Sequence, residues 1–248
     1  KKILKKKNII IIYFTNFNNL RNKLEKKKFF SIIHCATYYK KNHTFKDIKR
    51  MIESNIHLGN LILENKNMIY CKKFINFTTV WENYNGIKNN PYNLYSAYKL
   101  AFSNLINFYK KKYNKIKFYN LYLSETFGEN DNRKKLFNTL KENYKKQKVT
   151  TLVSKNIKLN VLNVKDIVSA LFILLEKNIK TNNYSLLNTK DIDILKLIKA
   201  FNKLHKKKIL FKYKSNKLVK EKILKNKKVP KWKPLNSTLK NIILYLRQ

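Results

Sequence analysis

Tyr95 and Lys99 carry the most readable chemistry in this chain. Four residues apart on a helix, they share a face, so their polar ends can converge. A free tyrosine has a pKa of about 10 and is a poor base at neutral pH. A neighbouring ammonium favours the phenolate and lowers that value. Such a pair can move a proton at a substrate hydroxyl while a separate group carries a hydride. The spacing alone does not decide the matter in a chain with 16 tyrosines, because Tyr113 with Lys117 and Tyr144 with Lys148 repeat it. A surface lysine beside a packed tyrosine is the plainer alternative.

Other residues able to do chemistry lie upstream. Thr78 and Thr79 can steady a substrate hydroxyl, or cap the end of a strand. His34, at a strand end, reads as a packing residue ahead of a ligand or base. Cys35 reads as a small core residue. With Cys71 it completes the cysteines, and two make neither a disulfide framework nor, alone, a structural zinc site. No metal centre is expected. Asn55 reads as a polar break in its helix or as part of a site. Trp81, Tyr84 and Tyr92 can stack on a base or a sugar, or pack as a lid.

These residues must be positioned by a folded core. Hydrophobic residues make up 44% of the 248, which suits one domain or one core with a smaller lobe and excludes wholesale disorder. Three glycines and three prolines exclude collagen-like and linker-rich chains. The apolar runs Ile9–Phe14 and Ala170–Leu175 are too short to span a bilayer. No signal peptide is evident, and a reducing cytoplasm is the expected location. The formal charge is +42, yet arginine occurs only as Arg21, Arg50, Arg133 and Arg247. Abundant Lys, Asn, Ile, Tyr and Phe are what an AT-rich coding sequence produces. Evenly spread lysines then form a solvated surface that binds nucleic acid only non-specifically.

The elements alternate. Strands are expected at Ile9–Phe14, Phe30–Ile33, Lys73–Phe77, Ile116–Leu123 and Ile157–Val164. Helices are expected at Asn19–Lys27, Phe45–Lys66, Tyr95–Tyr113, Arg133–Lys146 and Asp166–Lys177. This order implies a parallel sheet with helices on both faces, an α/β fold. From Ile192 a helix to His205, a basic stretch Lys206–Lys228 and a closing helix Leu235–Leu246 suggest a separate lobe.

The stretches Phe74–Trp81 and Asn93–Lys99 resemble the extended short-chain dehydrogenase/reductases. Within these they look most like the NAD-dependent epimerase/dehydratase family of nucleotide-sugar enzymes, in particular its CDP-abequose synthase-like branch. Ile32–Thr37, Asn55–Asn60, Leu121–Asp131, Val161–Asp166 and Trp232-Lys233-Pro234 resemble further family segments in the same order. The resemblance implies a Rossmann-like core at residues 1–128 and 157–178, and a smaller substrate-binding lobe at 129–156 and 179–248. It implies NAD or NADP as cofactor, lined by Cys35, Ala36 and Thr37, with Lys99 holding the nicotinamide ribose. Tyr95 becomes the proton donor or acceptor, with its pKa lowered by Lys99, and Thr78 or Thr79 steadies the sugar hydroxyl. A homodimer and a place in surface polysaccharide precursor synthesis are implied as well.

Three departures stand against this. The family opens on a glycine-rich strand–turn–helix that holds the pyrophosphate. Here Gly59, Gly86 and Gly128 are isolated, and Ile9–Phe14 matches the family's third strand, so the core is read as N-terminally truncated. Phe77 stands where the family has its active-site Ser or Thr. Leu159-Asn160 replaces an Arg-Asp pair, and leucine cannot pair with a phosphate. A catalytically degenerate relative without cofactor binding, and a polyanion-binding protein, are the alternatives.

Overall fold

The computed structural model describes residues 13–131, 133 and 135–248. Helix α1 (Phe17–Glu25) starts where the Asn16 side chain accepts the Asn19 N–H, and strand β1 (Ser31–His34) follows. Helices α2 (Phe45–Ile52) and α3 (Leu58–Leu63) continue each other through a π turn, Glu53–His57. Next come β2 (Lys73–Thr79), a 3-10 segment Val80–Gly86, α4 (Leu94–Lys112), β3 (Lys117–Leu123), β4 (Glu125–Phe127) and α5 (Leu136–Lys146). Short strands β5 (Thr150–Leu152), β6 (Asn156–Leu159) and β7 (Val161–Asn163) lead to α6 (Val164–Glu176) and β8 (Asn182–Leu186). The chain continues through β9 (Ile192–Asp193), α7 (Ile194–Leu204), β10 (Phe211–Tyr213), β11 (Leu218–Lys220) and α8 (Leu239–Arg247). The expected strand Ile9–Phe14 lies largely outside the described residues. No helix among the described residues is long and apolar enough to cross a membrane.

The main sheet has the order β1-β2-β3-β8, parallel throughout. Its pleat explains its two apolar faces, because successive side chains point to opposite sides. Phe74 and Phe118 pack with Leu63, Met68, Phe102 and Ile106 on one face. Ile75, Tyr119 and Leu121 pack with Ile167, Ala170 and Leu174 of α6 on the other. Strand β8 lies outside the core residues expected from sequence and closes the sheet from within the stretch assigned to the lobe. Its Asn182-Asn183-Tyr184-Ser185 is too polar to read as a core strand, yet Tyr184 and Leu186 bury fully. A third cluster, with Phe127, Phe137, Leu140, Leu197, Phe201 and Ile242, is separate from the two that flank the sheet and draws on both expected units. The expected strand Ile157–Val164 divides into β6 and β7 at Asn160. There the amide accepts Asn188 N at 2.8 Å and donates to Asp191 at 3.1 Å.

A row of polar side chains crosses the sheet in register. His34 Nδ1 lies 3.1 Å from Asn76 Oδ1, Asn76 donates to Asn120 at 3.0 Å, and Asn120 donates to Asn183 at 3.1 Å. The lobe is tied to the sheet at Asp166, buried on α6. Its Oδ1 accepts Leu235 N (2.8 Å), Asn236 N (2.9 Å) and Asn236 Nδ2 (2.9 Å), and Ser237 Oγ donates to Oδ2. Trp232 Nε1 donates to the Asp166 carbonyl at 3.0 Å. Residues 235–237 are spent on this carboxylate, so the closing helix starts at Leu239 and not at Leu235. Asp166→Ala leaves these donors without a partner. It should lower stability by about 3 kcal/mol in urea unfolding, against about 1 kcal/mol for Ser237→Ala.

Candidate functional site

The site lies beyond the carboxyl ends of the parallel strands, where open α/β sheets bind ligands. Helix α4 begins there because the Asn93 side chain accepts Ser96 N at 3.0 Å while Ser96 Oγ accepts Asn93 N at 3.0 Å. This cap places Tyr95 in the first turn and Lys99 one turn on. Lys110, Lys111 and Lys112 suit the negative end of the helix dipole.

The loop after β1 supplies the opposite wall. Asn55, fully buried in the π turn, donates to the carbonyls of Met51 (2.9 Å) and Tyr38 (3.0 Å) and accepts Thr37 Oγ1 at 2.8 Å. Thr37 is thereby held against the Tyr95 phenol. The Tyr39 ring meets the Tyr95 ring edge-on, with centroids 5.0 Å apart. Trp81 packs between Tyr39 and Tyr92 with its ring tilted to both, and Tyr84 lies beyond. Gly59 allows α3 to approach α4, since a Cβ there would stand 2.2 Å from the Phe102 ring.

The electrostatics differ from the sequence expectation at one point. Tyr95 is pushed up to about 12, chiefly by burial, with repulsion from Glu82 adding; Thr37 and Arg133 pull the other way. The cation acting on the phenol is Arg133, not Lys99. Lys99, only 3% exposed, acts on Glu82, Cys35 and His34. Lys99 is brought down to about 8, chiefly by burial, with Glu82 and Cys35 pulling the other way. The phenol is therefore raised and not lowered, because its burial outweighs the pull of the groups around it.

The threonines divide by the pleat. Thr78 donates to Glu82 and is committed. Thr79 Oγ1 accepts Trp81 N at 3.2 Å, which leaves its O–H able to donate. Phe77 lies on the same pleat face as Thr79 and packs against the α6-side core. Cys35 is exposed in the loop just past β1, correcting its reading as a core residue; inward-facing His34 takes the buried place. His34 Nε2 is buried without a partner. Leu159 packs against the cluster around Phe127 and Phe201, and the Asn160 amide is taken up by Asn188 and Asp191.

Sequence reasoning passed over Glu82, Arg133, Tyr39 and Glu221. Glu221 is pushed up to about 7 by burial and accepts a hydrogen bond from Trp81. The one available signal was scarcity: 14 acids against 56 cations, and four arginines. At the hydride end the residues fit a nicotinamide cofactor. Lys99 makes no direct ion pair among the described residues, Thr37 lies against Tyr95, and the Lys99 charge acts on His34, whose Nε2 is orphaned. At the pyrophosphate end there is no fit among the described residues. Gly59 lies in α3, Gly86 in the 3-10 segment and Gly128 against Val164, so no glycine-rich turn forms.

A family model described as "NAD dependent epimerase/dehydratase family" matches residues 1–187. No curated protein matches the chain. Among solved structures, UDP-glucuronic acid 4-epimerase from Bacillus cereus, with UDP-glucuronic acid and NAD, is similar at TM-score 0.75 and 18% identity. The match covers 94% of this chain and 80% of that one. UDP-glucose 4-epimerase from Thermus thermophilus, with NAD, gives TM-score 0.74 at 15% identity, covering 93% and 81%. dTDP-glucose 4,6-dehydratase from Bacillus anthracis, with NAD, gives 0.70 at 16%, covering 93% and 76%. At these identities the likeness is one of fold.

Burial, with the Lys99 charge, depresses His34 to about 4 from its ordinary 6.5. The folded chain then binds fewer protons at His34 than the unfolded chain between these values. Its stabilising contribution is complete above 6.5 and is lost as pH falls through this window. Glu82, raised to about 7, contributes with the opposite sign. Comparison with His34→Gln isolates the histidine. The stability difference between the two proteins should shrink by about 3 kcal/mol from pH 7 to pH 4 in urea unfolding. A pH-independent difference would mean that His34 titrates normally.

Proposed function

This chain belongs to the NAD-dependent epimerase/dehydratase family, and on that premise we propose that it carries out nicotinamide-dependent chemistry on a nucleotide sugar. One observation carries the reading: Tyr95 and Lys99 lie on one face of α4 at the carboxyl ends of the parallel strands, opposite Thr37. When bound, the nicotinamide supplies a hydride acceptor and donor. The protein's part is to move the proton. Tyr95, protonated at neutral pH by its burial, passes a proton between its Oη and a sugar hydroxyl. Thr79, with its O–H unused, holds the same sugar. Lys99 and Thr37 hold the ribose nearest the reaction, with Cys35 and Ala36 lining that wall. Tyr39, Trp81 and Tyr92 exclude water from it. The lobe takes the sugar nucleotide, and Arg133 provides a cation beside Tyr95.

The neighbours' substrates favour a UDP- or dTDP-linked sugar, and a surface polysaccharide precursor is the fitting product class. A homodimer through α2 and α4 accords with the exposed apolar side chains Phe45, Ile52 and Phe108 on those helices. A catalytically degenerate relative is the second reading, favoured by Phe77.

Purified protein incubated with NAD and UDP-glucose, UDP-glucuronic acid or dTDP-glucose should convert one of them, followed by chromatography. Tyr95→Phe should lower kcat by about 10²–10⁴-fold while the fold, read by circular dichroism, is kept. NAD binding absent in calorimetry, with no sugar converted, would establish the degenerate reading.

A further inference from the structure

Glu82 is the buried titratable group that this chemistry leaves without a role. It is 0% exposed, at the start of the 3-10 segment after β2. Its Oε1 accepts Thr78 Oγ1 and, at 3.0 Å, Ser103 Oγ; Tyr122 also hydrogen-bonds to the carboxyl. Its Oε2 is buried with no partner. Tyr95, Lys99 and Ser103 follow one another at four-residue intervals along one face of α4. The helix face that binds Glu82 through Ser103 therefore carries Lys99 one turn earlier and Tyr95 one turn before that. An ammonium taken out of water either keeps a compensating charge nearby or gives up its proton. Among the described residues, Glu82 is the carboxylate that acts on Lys99.

We propose that Glu82 is a positioning residue, the buried counter-charge that holds the Lys99 ammonium one turn below Tyr95, so that the two side chains gain and lose charge as a couple. The groups facing this couple are Thr78 from β2, Tyr122 from β3, Ser103 and Tyr95 from α4, and His34 and Cys35 at the end of β1. Each member draws the other toward its charged form against burial. The consequence for turnover rests on the reading of Tyr95 and Lys99 given above; the couple itself does not.

The test is a carbon-13 NMR titration of lysine-labelled full chain, with the Lys99 signal identified by its loss in Lys99→Met. In Glu82→Gln the Lys99 midpoint should fall by about one unit or more. An unmoved midpoint overturns the proposal. Should Glu82→Gln fail to fold, glutamate-labelled Lys99→Met answers the same question. Linkage requires the Glu82 midpoint to rise by the amount that Lys99 would have lost, and an unmoved Glu82 signal overturns the proposal equally. In the active enzyme, Glu82→Gln should bring the alkaline limb of kcat to lower pH with KM changed less than about threefold. A shifted midpoint in a protein that converts no nucleotide sugar overturns the proposed function and leaves the couple standing. An unshifted midpoint in an active enzyme does the reverse.

Discussion

The register of four parallel strands is the constraint on which the rest depends. His34, Asn76, Asn120 and Asn183 occupy one row, each aligned with the next and joined to it by an amide hydrogen bond. Burying such groups is tolerable only when they satisfy one another, so the row penalises every other alignment. A slip of one residue would break its bonds and turn each apolar side chain of that strand to the wrong face. The row also fixes where the strands end. β1 releases the loop that bears Thr37 and Tyr39, β2 releases Thr79 and Glu82, and β3 brings Tyr122 beneath them.

Charge is distributed in two regimes. Most lysines lie in solvent, where pairing is worth little, and the ion pairs at Arg21–Glu25 and Lys112–Glu64 belong to that surface. Two buried carboxylates gather donors from several elements. Asp166 receives backbone and side-chain donors from residues 235–237, and Glu82 has Thr78, Ser103 and Tyr122. Even one exposed-family residue is drawn into structural work: Lys73 donates to the carbonyls of Leu174 (2.8 Å) and Lys177 (3.0 Å), closing the end of α6 against the sheet.

The periodic helices and the apolar strands were legible because burial imposes the period. Phe45–Lys66, Tyr95–Tyr113 and Ile116–Leu123 each appear with ends displaced by a few residues at most. The π turn around Asn55 was visible only as a polar break, since its cause is the pull of Thr37 and Tyr38 from another loop. Strand β8 was hidden because its burial comes from its neighbours and not from its composition. At the site, the Tyr95–Lys99 spacing was legible. The partner of Lys99 was not, because Glu82 meets it through a fold of the chain that no local spacing encodes. The two threonines looked equivalent in sequence; the pleat separates them, one facing Glu82 and the other the Trp81 amide.

The anchoring of α6 also sets an order of events during synthesis. The Asp166 carboxylate meets its Asn236 donors across 70 residues of chain. At ordinary ribosomal rates those residues take roughly 4–14 s to appear. Through that interval the carboxylate must keep its water, which holds the end of α6 near Asp166 away from its final seat. The sheet face carrying Ile75, Tyr119 and Leu121 then stays incompletely covered until the Trp232–Ser237 segment is made. Packing of this face is thus completed only after a segment some 70 residues further along the chain has emerged.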